Sequence, residues 1–165
     1  MASLLEKTVN VLLIAACTVV VGEYGYRLIH KSPQRHVIFS SGEHIQGTSA
    51  LDLRSAPRTL IIAISSTCPY CLASMPFHKR VADAARERGT KVIAVCAEAP
   101  AVNRAYLASH GIAVERVLSQ MESGVLVPQV PTIILVKQDG TVIGSWTGLA
   151  DGAFARSAIQ ALGKS

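Results

Sequence analysis

Residues 58–77 read RTLIIAISSTCPYCLASMPF, and the fold turns on how the first half of this stretch gives way to the second. Arg58 to Ser65 is a continuous β-rich run of strand length, which predicts a central strand covered on both faces. From Pro69 the pattern turns helical and continues to Arg88, with Leu72, Met75, Val81 and Ala85 among the positions expected to face inward. Pro76 is expected to kink this helix, and Gly89 to end it. Two cysteines, Cys68 and Cys71, fall at the junction between strand and helix.

That placement gives the pair a chemical reading. A sulfur at position 68 faces the free N–H groups of the first helical turn, which together with the helix dipole favour a thiolate. Pro69 suits the first turn, where the N–H it lacks has no helical partner. Cys71 returns to the same side one turn deeper. An outer sulfur is thereby set to attack and an inner one to resolve the adduct. Rival uses of a cysteine pair fare less well. A structural zinc site needs four ligands, and no second C-x-x-C or H-x-x-x-H occurs. Haem attachment needs histidine where the chain has Leu72. Two thiolates remain suited to a soft ion such as Cu(I), so a copper-handling role stays open, as does a non-catalytic docking role. Cys17 and Cys96 lie in apolar runs and are read as small buried hydrophobes.

Beyond this junction, KVIAVCA (91–97) reads as a second buried strand and APAVNRAYLASHG (99–111) as a short helix. IAVERVLS (112–119) reads as a strand. VPTIILVKQDGTVIGSWTG (130–148) reads as two strands about the Asp139-Gly140 turn. DGAFARSAIQALGK (151–164) closes the chain as a helix. The order is α/β with a mixed sheet.

The chain of 165 residues is half apolar, and the apolar excess lies mostly in its first thirty residues. Thr8 to Gly22 carries no charge, and continuing through Tyr24 and Tyr26 brings it to the roughly 17–25 residues a span needs. An uncleaved N-terminal transmembrane helix over residues 1–30 is expected. Residues 31–54 are expected as a tether with one or two short strands, and 55–165 as the globular domain. IAAC, ending at Cys17, also resembles a lipidation site, and VVVG a signal-cleavage site, so three fates stay open. Arg27, Lys31 and Arg35 follow the span while only Lys7 precedes it, a bias that alone leaves the domain in the cytoplasm. The cysteine motif argues instead for export, and an extracytoplasmic domain is the expectation. The net charge of +5 is explained by this basic collar beside lipid headgroups. No interleaving of basic and aromatic residues points to nucleic acid.

TCPYC after a buried strand, Pro76 in the following helix, and VPT opening a strand before a DG hairpin together resemble the thioredoxin superfamily, in particular its membrane-tethered TlpA/redoxin-like members. The resemblance covers about residues 55–162. It implies a thioredoxin-like mixed sheet flanked by helices and thiol–disulfide exchange with a partner protein, without a cofactor or metal. It also implies that Cys68 is the nucleophile, Cys71 the resolving thiol, and that the two form the redox disulfide. Pro131, preceded by Val130, is implied as a cis-proline that faces the pair and helps hold substrate. Pro69 and Tyr70, inside the motif, are expected to face the partner. Three positions depart from the pattern: Thr67 stands where thioredoxins often have tryptophan, Ile62 where they bury an acid, and Ser74 where tethered reductases often carry glutamate. The resemblance therefore supplies no proton acceptor for Cys71. The peroxidase context P-x-x-x-T-x-x-C is also missing, with Ile61 and Ser65 at its positions. His78 is read as a solvated helix residue and Trp146 as packing; His30, His36, His44 and His110 give no ligand spacing.

Overall fold

A computed structural model of the chain describes residues 9, 15–22 and 38–163. Contacts divide the chain into two units, Met1–Gln34 and Arg35–Ser165. In the first, residues 15–22 are helical. Among the described residues no helix is long and apolar enough to cross a membrane. The span expected over residues 1–30 lies mostly outside them, together with its basic collar.

The second unit is built on five strands: β1 (Arg58–Ile64), β2 (Lys91–Cys96), β3 (Arg116–Ser119), β4 (Thr132–Lys137) and β5 (Val142–Thr147). Four helices join them: α1 (Pro69–Glu87), α2 (Pro100–Ser109), the single-turn α3 (Gln120–Ser123) and α4 (Gly152–Gly163). The sheet order is β3-β2-β1-β4-β5. β1, β2 and β3 run parallel, and β4 and β5 are antiparallel to their neighbours. β1 is thus central, which is why its run is apolar on both faces. Leu60, Ile62 and Ile64 join the core beneath α1, α2 and α4, with Met75, Val81, Leu107, Phe154 and Leu162. Ile61 and Ala63 alternate to the opposite core.

That opposite face is covered by irregular chain. Ile45 and Leu51 from the segment before β1, and Val125 and Val127 from the segment before β4, close it. Among its described residues the stretch expected as tether and short strands makes one isolated bridge, His44 to Thr141, and no named strand. Its hydrogen bonds go to the β4–β5 hairpin instead: Gly42 N–H to Val142 O at 2.8 Å and Ile45 N–H to Gly140 O at 2.9 Å. Gly140 sits at φ +91°, and a Cβ there would stand 2.6 Å from Ile45 O, so both the turn and this close approach require glycine.

Helix α1 begins and ends as its sequence predicts and runs continuously through Pro76. Its faces differ from expectation at two positions. Leu72 is 55% exposed, not inward. His78, expected in solvent, is buried at 1% exposure, because α1 packs on the sheet and on α4 and so buries Phe77 and His78 side by side. Its Nδ1 has no hydrogen-bond partner, and burial pushes its pKa down to about 4 from the ordinary 6.5. The sign follows directly. Below the ordinary histidine value the unfolded chain takes up a proton that the folded one refuses, so stability falls as pH drops from 6.5 to about 4. At roughly 1.4 kcal/mol per pH unit, the loss at pH 5 is about 2 kcal/mol. We expect His78→Leu to match or exceed wild-type stability at pH 7 and to gain about 2 kcal/mol over it at pH 5, read from urea midpoints. Equal acid sensitivity of the two forms would contradict the buried neutral histidine.

Candidate active site at the head of helix α1

The carboxyl ends of parallel strands gather loops at one edge of a sheet, and here they gather the cysteines. Cys68 caps α1 from an extended backbone (φ −85°, ψ 117°), and its half-buried Sγ accepts the Cys71 N–H at 3.3 Å. The helix therefore opens on a sulfur, with Pro69 in its first turn. Cys71 lies beneath, with no exposed surface. Both are free thiols in this structure. Burial pushes the Cys71 thiol up to about 12, helped by its hydrogen bond with Cys68 and by the charges of Cys68 and Glu98; the Ser65 main-chain N–H works against them.

Opposite the pair, the Val130–Pro131 peptide bond is cis. Val130 O lies 3.7 Å from Cys68 Sγ, so the loop before β4 presents backbone to the outer sulfur. Tyr70 is 61% exposed on the first turn of α1, and Pro69, Leu72, Ala73 and Pro76 are exposed with it. The solvent face of the first two turns thus carries no charge until Lys79. The structure brings together Cys68, Cys71, Val130 and Pro131, with Pro69 and Tyr70 on the adjoining rim.

Other candidates stand apart. Trp146 donates its Nε1–H to Ser157 Oγ at 3.0 Å, a packing contact. His110 meets Tyr106 edge to face, and His30 and His36 lie outside the described residues. No group of three or more metal-ligating side chains occurs among the described residues. A broad cleft lined by His44, Asp52, Arg54, Lys137 and Asp139 lies at the opposite end of β1, away from the cysteines, and takes no part in their chemistry.

Sequence reading missed the polar cluster behind the pair. Ser65 donates its hydroxyl to Glu98 Oε1, and Thr67 Oγ1 lies 3.5 Å from the same oxygen. Asn103 of α2, fully buried, donates to Glu98 Oε2 at 2.9 Å. Desolvation opposes the charge on Glu98, but these hydrogen bonds outweigh it and hold the carboxyl below its ordinary range. Ile64 pairs with Cys96 across parallel strands, so Ser65 and Glu98 emerge from the sheet side by side. A carboxylate two residues past the neighbouring strand was the available signal.

Known proteins agree with this architecture. No curated protein matches the chain. A thiol:disulfide interchange protein of the thioredoxin family from Chlorobium tepidum superposes with a TM-score of 0.54 at 17% identity, covering 75% of this chain and 99% of its own. A secreted disulfide oxidoreductase of Mycobacterium tuberculosis gives 0.51 at 16% identity, covering 68% and 85%. The peroxidoxin BcpB of the same organism gives 0.59 at 12% identity, covering 77% and 99%. Likeness at such identities speaks for the fold. The family is carried by the sequence itself, whose residues 39–148 match the Redoxin model: the chain belongs to the redoxin family and is an oxidoreductase of thioredoxin-like fold.

Proposed function

We propose that the protein exchanges electrons with the cysteines of a partner protein through Cys68 and Cys71. The observation that carries this reading is the unequal setting of two sulfurs in one helical turn, the outer half-exposed and receiving an N–H, the inner buried and held as a thiol. In the reducing direction, the Cys68 thiolate attacks a partner disulfide. The partner's S–S bond breaks, one of its sulfurs leaves as a thiolate and is protonated, and a Cys68–partner disulfide forms. Cys71 then gives up its proton and attacks Cys68 Sγ. A Cys68–Cys71 disulfide closes, and the partner's second thiolate leaves and takes up a proton. Two electrons pass to the partner, and the same steps run backward oxidise it.

Val130 O beside Cys68 Sγ supports binding of an extended partner segment there, next to Pro131, with Pro69 and Tyr70 on the uncharged rim. A membrane anchor over residues 1–30 with the domain on the exported side completes the proposal; it rests on the uncharged stretch Thr8–Gly22 and on the cysteine motif. Turnover of a protein disulfide at the expense of a small dithiol tests the exchange reading. We expect catalysis by the wild type and its loss once Cys68 is alkylated. An inert wild type that binds one equivalent of Cu(I) through the pair would replace exchange by metal carriage.

A further inference from the structure

We propose that Glu98 is a positioning residue of the exchange site, fixing the turn that carries Cys68 through Ser65. The inference rests on the exchange reading above and adds a residue to it. Three elements meet at this carboxylate: the turn after β1 through Ser65 and Thr67, the chain leaving β2 through Glu98 itself, and α2 through Asn103.

Ser65 is the hub through which this anchor reaches Cys68. Its carbonyl accepts the Cys68 N–H at 3.3 Å, and its Oγ receives the Thr67 N–H at 3.3 Å while donating to Glu98. The turn that carries the nucleophile is therefore organised by Ser65, and Ser65 is held by Glu98. Exchange requires three sulfurs in line, and a misplacement of about 1 Å in such a site costs on the order of a hundredfold in rate.

The geometry separates positioning from proton transfer. Both carboxylate oxygens are already occupied by donors, so Glu98 is held as an anion with its acceptor sites in use. A glutamine there would keep an acceptor for Ser65 Oγ. Its new N–H groups would also find a partner, because Asn103 Oδ1 is buried and unpaired and rotation of that amide presents it. Glu98→Gln thus conserves the clamp and removes the charge, whereas Glu98→Ala removes both. Ser65→Ala breaks the next link while leaving the carboxylate in place.

The experiment is second-order exchange with a model protein disulfide across pH 6–9 for the full chain, with circular dichroism as the folding control. Glu98→Ala and Ser65→Ala should each slow exchange about tenfold or more. Their combination should be no slower than either alone, since links in one chain are not additive. Glu98→Gln should stay within about threefold of wild type at each pH. A Glu98→Gln as slow as Glu98→Ala, with an altered pH profile, would make Glu98 a proton carrier and overturn the proposal. So would additive losses from Ser65 and Glu98, or a Glu98→Ala that exchanges at the wild-type rate. An inert wild type would instead sink the exchange reading itself, so the two failures are told apart.

Discussion

At pH 8 a small alkylating reagent will modify Cys68 and leave Cys71 untouched. Only thiolates alkylate at a useful rate, and the reagent must also reach the sulfur. Cys71 fails on both counts: it has no exposed surface, and its thiol is pushed up to about 12. At pH 8 such a group is ionised in about one molecule in ten thousand, before any steric protection. Cys96 is similar, buried at 1% exposure and raised to about 11 by burial and by the charges of Glu98 and Glu122. Peptide mapping after timed labelling should find Cys68 modified, with Cys71 and Cys96 modified only after unfolding. Labelling of Cys71 at a rate near that of Cys68 would show that the pair is not divided into an outer and an inner sulfur.

The second large effect concerns removal of either sulfur. Cys68→Ser should reduce catalysed exchange to background, a loss of about a thousandfold or more, because an alcohol does not replace a thiolate in attack on a disulfide. Cys71→Ser should abolish multiple turnover as well, but by a different route. Its first step survives, since Cys68 keeps its place at the helix start, and the enzyme accumulates as an adduct with no internal thiol to release it. Stopped single-turnover kinetics distinguish the two: no burst for Cys68→Ser, a burst of one equivalent for Cys71→Ser. A burst from Cys68→Ser would assign the attacking sulfur elsewhere.

The parts of this molecule that sequence made legible are those where local pattern and tertiary demand coincide. Leu60–Ile64 is apolar at every second and every intervening position because a central strand is covered on both faces, and the helix that follows opens on Pro69 for the reason any helix can. The Asp139-Gly140 turn is set by local chemistry as well, with Asp139 Oδ1 accepting the Thr141 N–H at 2.9 Å. What escaped reading depends on contacts remote in sequence. Residues 38–53 carry no regular pattern because Gly42, Glu43 and Ile45 bond to the hairpin about a hundred residues later and Thr48 to Ser123. His78 looked solvated from its polarity, yet α4 approaches α1 on that side, and a helix wedged between a sheet and another helix buries more than one stripe. Leu72 looked internal from its apolarity, yet it stands on the uncharged rim beside Cys68. Glu98 is 30 residues from Cys68 and enters the site only through the parallel register of β1 and β2.

A carboxylate does stand near the pair, in a positioning role and not as the acid the resemblance would place at residue 62 or 74. Neither Ile62 nor Ser74 can serve as a charged neighbour for Cys71: Ile62 is core, and Ser74 Oγ accepts the Ala150 N–H at 3.4 Å. The carboxylate near the pair comes instead from the end of β2, fixed by Asn103. The fold supports a charge behind these cysteines from a strand different from the one the resemblance suggests.

Every step proposed for this protein passes through one covalent species, a disulfide between Cys68 and a partner cysteine. Disulfide mapping of Cys71→Ser after reaction with a protein disulfide examines it directly. We expect a single adduct, with the partner's sulfur on Cys68 and none on Cys96 or Cys17. An adduct on another cysteine, or no adduct under conditions where the wild type turns over, would contradict the division of labour between the two sulfurs at the head of α1.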